Sequence, residues 1–176
     1  MTASQQPSCY CFLMTQKFVF HGTPKKFDSD VATPRRNIRE RDGVVIFDEE
    51  SFHATPHKWI ALAYTYHPKP IESLGIGVQY LMGVNLYSEE KEVVIFGVGT
   101  LEESLAALYG DGGYVYHFTD GDFIYKEGLG DMEVISQVPT NPIVMEKVDN
   151  PVEEMRKLGA HFVFIDLALP QNEKFR

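Results

Sequence analysis

The chain has 176 residues, 44% of them hydrophobic and 23% charged, the mix of one globular domain with a real core rather than of a disordered segment. No apolar run approaches the ~20 residues needed to span a bilayer, and the N-terminal M-T-A-S-Q-Q-P carries no cationic leader, so an intracellular, cytoplasmic protein is expected. The formal charge of −9 is uneven: residues 1–60 carry eight Lys/Arg against seven Asp/Glu, the remainder eight against eighteen, which disfavours general nucleic-acid or anionic-membrane binding.

Residues 1–16 read as a loosely held arm with a short strand at Cys9–Met14. Cys9 and Cys11, the only cysteines, lie too close for an unstrained disulfide and lack further ligands for zinc, so free thiols are expected. The run Lys17–Pro24 (K-F-V-F-H-G-T-P) predicts a buried strand that stops directly after His21. Gly22, without a Cβ, would let a planar ligand lie against its peptide. Lys25–Asp42 has no sustained period and reads as a long loop, with or without one helical turn; its cations, Arg35 among them, suit either a phosphorylated ligand or plain solvent.

Gly43–Phe47 is a short apolar run, and Ser51–Ala54 a short strand. Thr55 as N-cap and Pro56 at the first helical position predict a helix to about Tyr66. Val78–Tyr87 and Glu92–Val98 read as strands, and Leu101–Tyr109 as a helix capped by Thr100. Gly113–Thr119 and Asp122–Lys126 suggest a hairpin around Asp120-Gly121. A glycine-containing loop, residues 127–131, precedes strands at Met132–Val138 and Ile143–Val148, then a helix at Pro151–Leu158 and a strand at Phe162–Leu167. Many short strands with a few modest helices predict a single α+β domain on mainly antiparallel sheet. There is no dinucleotide-binding G-x-G-x-x-G behind a strand, no P-loop, and no H-E-x-x-H among the histidines.

Three pieces stand in order: a strand ending Phe20-His21-Gly22-Thr23; Phe52-His53-Ala54 leading into a helix that carries Tyr64; and Glu133-Val134-Ile135-Ser136 ahead of a further strand. This order resembles the ADP-ribosyltransferase superfamily, in its His–Tyr–Glu branch of diphtheria-toxin and poly-ADP-ribose-polymerase types. The resemblance covers roughly residues 17–148. It implies a split antiparallel sheet and NAD as substrate. It further implies nicotinamide release with transfer of ADP-ribose to an unknown macromolecular or small-molecule acceptor, and an acceptor loop at residues 126–132. Phe52 stands where that family has a strand tyrosine, and Asp131 where arginine- or asparagine-specific toxins carry Glu or Gln, which weighs against an arginine acceptor.

The residue chemistry fits these roles. Breaking the glycosidic bond of NAD develops positive charge on the ribose, which a nearby carboxylate, Glu133, stabilises more in the transition state than in the ground state. His21 can hold the hydroxyls of the adenosine ribose; Gly22 can offer its backbone groups to the carboxamide, with Thr23 beside it at the cofactor; Tyr64, with Tyr66 as competitor, can stack on nicotinamide. Phe52 would lie beside it, and Arg35 or Arg36 could meet the diphosphate. A module of the same fold that binds nucleotide without turnover, and an RNA 2′-phosphotransferase, are the alternatives; the acidic balance weighs against the second.

Overall fold

The computed structural model describes residues 17–75, 77–85, 90–126 and 129–169. The strand expected at Cys9–Met14 and both cysteines lie outside them. The described chain is α+β, with nine mostly antiparallel strands in three small sheets and three short helices. In one sheet β1 (Phe18–Thr23) and β8 (Val144–Val148) flank β6 (Gly113–Thr119). In the second, β3 (Val44–Ala54) lies between β2 (Arg35–Arg41) and β7 (Val134–Ser136). In the third, β5 (Glu92–Gly97) pairs antiparallel with β4 (Leu81–Asn85) and parallel with β9 (His161–Asp166).

Helix α1 (Lys58–Ala63) buries Trp59, Ile60, Ala61, Leu62 and Ala63 in succession, apolar all round because structure surrounds it. It packs with α2 (Leu101–Tyr109), α3 (Pro151–Lys157), Val93 and Ile95 of β5 and Val115 of β6 into the main core. A second, aromatic core of Phe118, Phe123 and Tyr116 lies between the first two sheets. The ends of α2 follow the sequence: Thr100 Oγ1 accepts from Glu103 N at 3.2 Å while Glu103 Oε2 accepts from Thr100 N at 2.9 Å, a capping box. Asn150 caps α3 in the same sense, with Pro151 in the first turn.

Five expectations are corrected. Strand β1 does not stop after His21; it stays in register with β6 through Thr23, opposite Tyr114. Residues 35–41, expected as loop, form β2, and the two pieces expected at 43–47 and 51–54 are one eleven-residue strand, β3. Asp42 (φ 53°) and Gly43 (φ 76°) both take the left-handed conformation that a two-residue hairpin turn requires. Helix α1 begins at Lys58 and ends at Ala63; Thr55 instead turns the chain by accepting from His57 N at 3.1 Å. The hairpin expected between 113–119 and 122–126 does not form: a 3-10 turn at Asp120–Asp122 buries Phe123 against Phe118, 5.6 Å between centroids, and Ile124 crosses to bridge Ile135 of β7.

Candidate functional site

The first two sheets touch along one line and then diverge. Phe20 and Thr55 exchange backbone hydrogen bonds of 2.7 and 2.9 Å, the one bridge between β1 and the end of β3. One residue on, the connection becomes a side chain: His21 Nδ1 donates to the carbonyl of His53 at 2.8 Å. That bond fixes the tautomer and leaves Nε2 as an acceptor. Burial, only partly opposed by this bond and reinforced by the nearby His53 ring, holds His21 below the usual histidine range, so the imidazole is neutral at pH 7.

The divergence opens two cavities. The smaller, about 200 Å³, is lined by His21, Gly22, Ala61, Tyr64 and Glu133 among others. The larger, about 650 Å³, runs along β2 and the loop after β1, with Lys25, Lys26, Phe27, Arg35 and Phe52 in its wall. His21, Arg39 and His53 belong to both linings.

Because Phe20 directs its N–H and C=O away from β6 toward Thr55, the two-residue alternation of the strand directs those of Gly22 the same way, into the smaller cavity. Gly22 is needed for a reason beyond ligand access: a Cβ there would stand 1.6 Å from the carbonyl oxygen of Ala61 in α1. The glycine lets β1 and α1 approach closely enough to form the cavity floor.

Glu133 immediately precedes β7 and takes three hydrogen bonds from two side chains of the site. Arg39 grips it with both guanidinium nitrogens, Nη1 to Oε2 at 2.7 Å and Nη2 to Oε1 at 2.5 Å. His53 Nδ1 also bonds Oε1. A carboxylate only accepts, so Nδ1 carries a proton, and in the neutral ring Nε2 accepts from the Ser51 hydroxyl at 2.9 Å. Burial raises the Glu133 pKa, but the bonds from His53 and Arg39 outweigh it and hold the carboxyl below the ordinary range, ionised at pH 7. The line Ser51–His53–Glu133 has the bonding order of an acyl-transfer triad, with Ser51 only 2% exposed in the wall of the larger cavity.

Tyr64 follows α1 directly, half exposed, its ring in the wall of the smaller cavity. Partial removal from water, then the Glu133 charge, push its phenol up, so it stays neutral. Tyr66 packs against the main core, and of the two tyrosines it is Tyr64 that lines the smaller cavity.

Of the residues singled out in the sequence, His21, Gly22, Tyr64 and Glu133 meet around the smaller cavity, while Thr23, Phe52 and Arg35 line the larger. Phe52 lies between cavity and core, its ring 4.7 Å from His21 and 5.3 Å from Phe118. Arg36 faces away from both cavities, paired with Asp48 at 2.8 Å through two nitrogens. Arg39 was legible only as one of the clustered cations of residues 25–42 and His53 only as the middle of Phe52-His53-Ala54; what sets them apart is two-residue spacing, Arg35-Asn37-Arg39 and Ser51-His53, each set on one face of its strand.

Comparison with protein-family models, with curated proteins and with solved structures finds no match. Among the described residues, no cluster of His, Cys, Asp and Glu could hold a metal ion, and no helix is long and apolar enough to cross a membrane.

Proposed function

We propose that this chain is an ADP-ribosyltransferase-like domain that binds NAD, releases nicotinamide and transfers ADP-ribose to an acceptor. The observation that carries the reading is the meeting of His21, Gly22, Tyr64 and Glu133, up to 112 residues apart, around one cavity of about 200 Å³. In this reading nicotinamide enters the smaller cavity, its ring on Tyr64 and its carboxamide on the backbone of Gly22. The adenosine half takes the larger cavity, where Phe27 and Phe52 offer aromatic faces. His21 Nε2 accepts from a ribose hydroxyl.

The bond between ribose C1′ and the pyridinium nitrogen breaks with its electron pair going to nicotinamide, which leaves neutral while positive charge develops on the ribose. Glu133, ionised and bonded by His53, stands where that charge appears, in a partly dry site where a fixed carboxylate is worth more than in water. The acceptor nucleophile then bonds C1′ and gives up its proton.

The test is nicotinamide release from NAD by wild type beside Glu133→Gln, with a loss of about 10²–10³-fold expected. Equal release from both proteins overturns the role of Glu133. A second reading, NAD binding without turnover, is favoured by Phe52 at the strand-tyrosine position and by the partners already on both Glu133 oxygens. It predicts NAD-dependent stabilisation with no nicotinamide released. No release and no stabilisation by NAD would sink the cofactor assignment.

A further inference from the structure

The geometry points to Arg39 as the residue that binds the diphosphate of a dinucleotide, exchanging Glu133 for the phosphates, so that Glu133 is released to the ribose only when the diphosphate is seated. This rests on the NAD reading above.

The position comes first. A dinucleotide is two nucleosides joined by a diphosphate, and a ligand occupying both cavities must lay that diphosphate across the wall they share. Three side chains form that wall in common: His21, Arg39 and His53. His21 is neutral, and His53 spends both ring nitrogens on Glu133 and Ser51. Arg39 is the permanent cation of the three. Lys25, Lys26 and Arg35 line the larger cavity only, and Arg36 is held by Asp48 on the other face of β2.

The chemistry follows. Arg39 already holds its guanidinium fork against two oxygens of an anion, and a phosphate presents a pair of oxygens to the same fork. Its side chain is 43% exposed, so it has room to turn, whereas Glu133 at 20% and His53 at 17% are held in place. When Arg39 leaves, Glu133 is not orphaned: His53 keeps Oε1, and Oε2 becomes the free acceptor for a ribose hydroxyl. The pair therefore masks both partners in the free protein, the cation from stray anions and the carboxylate from water and protons. A nucleoside without phosphates has nothing to draw Arg39 away and leaves Glu133 masked.

The exchange makes a prediction that simple charge attraction does not. Calorimetric affinities for ADP and for adenosine are compared in wild type, Arg39→Ala, Arg39→Lys and Glu133→Gln. ADP lacks the second ribose, so it reports on the diphosphate without any contact to Glu133. Arg39→Ala is expected to weaken ADP about ten- to hundredfold and adenosine less than about twofold, with Arg39→Lys between because it keeps the charge but loses the fork. Glu133→Gln, which frees Arg39 in advance, is expected to bind ADP more tightly than wild type, by about threefold or more. An unchanged ADP affinity in Arg39→Ala, an equal loss for adenosine, or weaker ADP binding by Glu133→Gln each overturns the exchange while leaving the NAD reading standing if wild type binds NAD. Wild type that binds neither NAD nor ADP overturns both. Melting temperatures of the variants separate lost binding from lost folding.

Discussion

Replacing Gly22 with alanine tests the one place where fold and site depend on the same absent atoms. The added Cβ would lie 1.6 Å from the Ala61 carbonyl oxygen, 2.5 Å from its carbon and 3.1 Å from its Cα, all backbone atoms of α1. No rotamer change can relieve such a contact. Ordinary separations of about 3.5 Å require β1 and α1 to part by roughly 2 Å. Neither moves freely: β1 is paired with β6 over six residues and bonded to Thr55, and α1 has five consecutive residues buried. Overpacking of cores typically costs about 1–3 kcal/mol, and a clash between two backbones belongs at the top of that range. A loss of about 3 kcal/mol lowers Tm by roughly 6–12 °C in a domain of this size. Urea denaturation followed by fluorescence reads this directly, because the only tryptophan, Trp59, is buried in α1 itself. Gly121→Ala is the control, since a Cβ there meets nothing within 4 Å, and it should stay within about 0.5 kcal/mol of wild type. If Gly22→Ala matches that control, the close approach of β1 and α1 is not what forms the cavity floor, and the argument for this glycine fails.

Acid should weaken the fold in two steps of the same sign. His21 has a folded pKa below the ordinary 6.5, so the unfolded chain takes its proton first and stability falls as pH drops through about 6.5 toward the folded value. Glu133 is likewise depressed from 4.5; its contribution is present above that value and is lost as pH falls through the lower folded pKa. Urea midpoints between pH 7 and 3 should show both steps, and His21→Gln should shrink the upper one, leaving the share of His57, which burial also lowers; an upper step of unchanged size in His21→Gln contradicts the assignment. At Tyr64 the ring, not the hydroxyl, is expected to matter: Tyr64→Phe should hold NAD affinity within about threefold, while Tyr64→Ala loses about tenfold, as titration calorimetry would measure. Thr100→Ala removes the acceptor of the α2 capping box and should cost about 1 kcal/mol in denaturation with NAD binding unchanged; a change in binding would tie α2 to the site.

Where a segment buries one face, its sequence carried the signal. Helix α2 spans Leu101–Tyr109 as its cap and apolar spacing predict, and β5 lies within a residue of expectation because it turns Val93 and Ile95 inward; β8 also lies within a residue, although only Val148 of its five residues is buried. Strand β2 was illegible for the opposite reason. Six of the seven residues of R-R-N-I-R-E-R are exposed, so no alternation of apolar and polar records the strand; backbone pairing with β3 and cross-strand ions such as Arg36–Asp48 hold it. Asp42-Gly43 was the available clue. The crossing at Phe123 needed tertiary knowledge, since only the aromatic core explains why the chain leaves β6 instead of folding back on it.

The same argument explains which half of the site could be read. His21, Gly22 and Glu133 stand in short patterns with a local physical meaning, an apolar run closed by Gly and Pro and an acid at a strand start. Arg39 is one of four arginines in seven residues, and nothing local distinguishes it from its neighbours. What selects it is register. Arg39 lies opposite Phe47, His53 opposite Ile135, and Glu133 two residues before Ile135, so every member of the cluster falls on one face of the β2-β3-β7 sheet, one from each strand or its start. Phe47 and Ile135 pack together on that face with Leu129 and fix it toward the interior. A slip of one residue between β2 and β3 would carry Arg39 to the opposite face and leave Glu133 with His53 alone. The two-residue turn at Asp42-Gly43 sets that register, and the bulge between Arg39 and Glu40 falls where it can aim the guanidinium at the carboxylate. The basic strand that looked like solvated loop is therefore the element whose alignment determines how Glu133 is held.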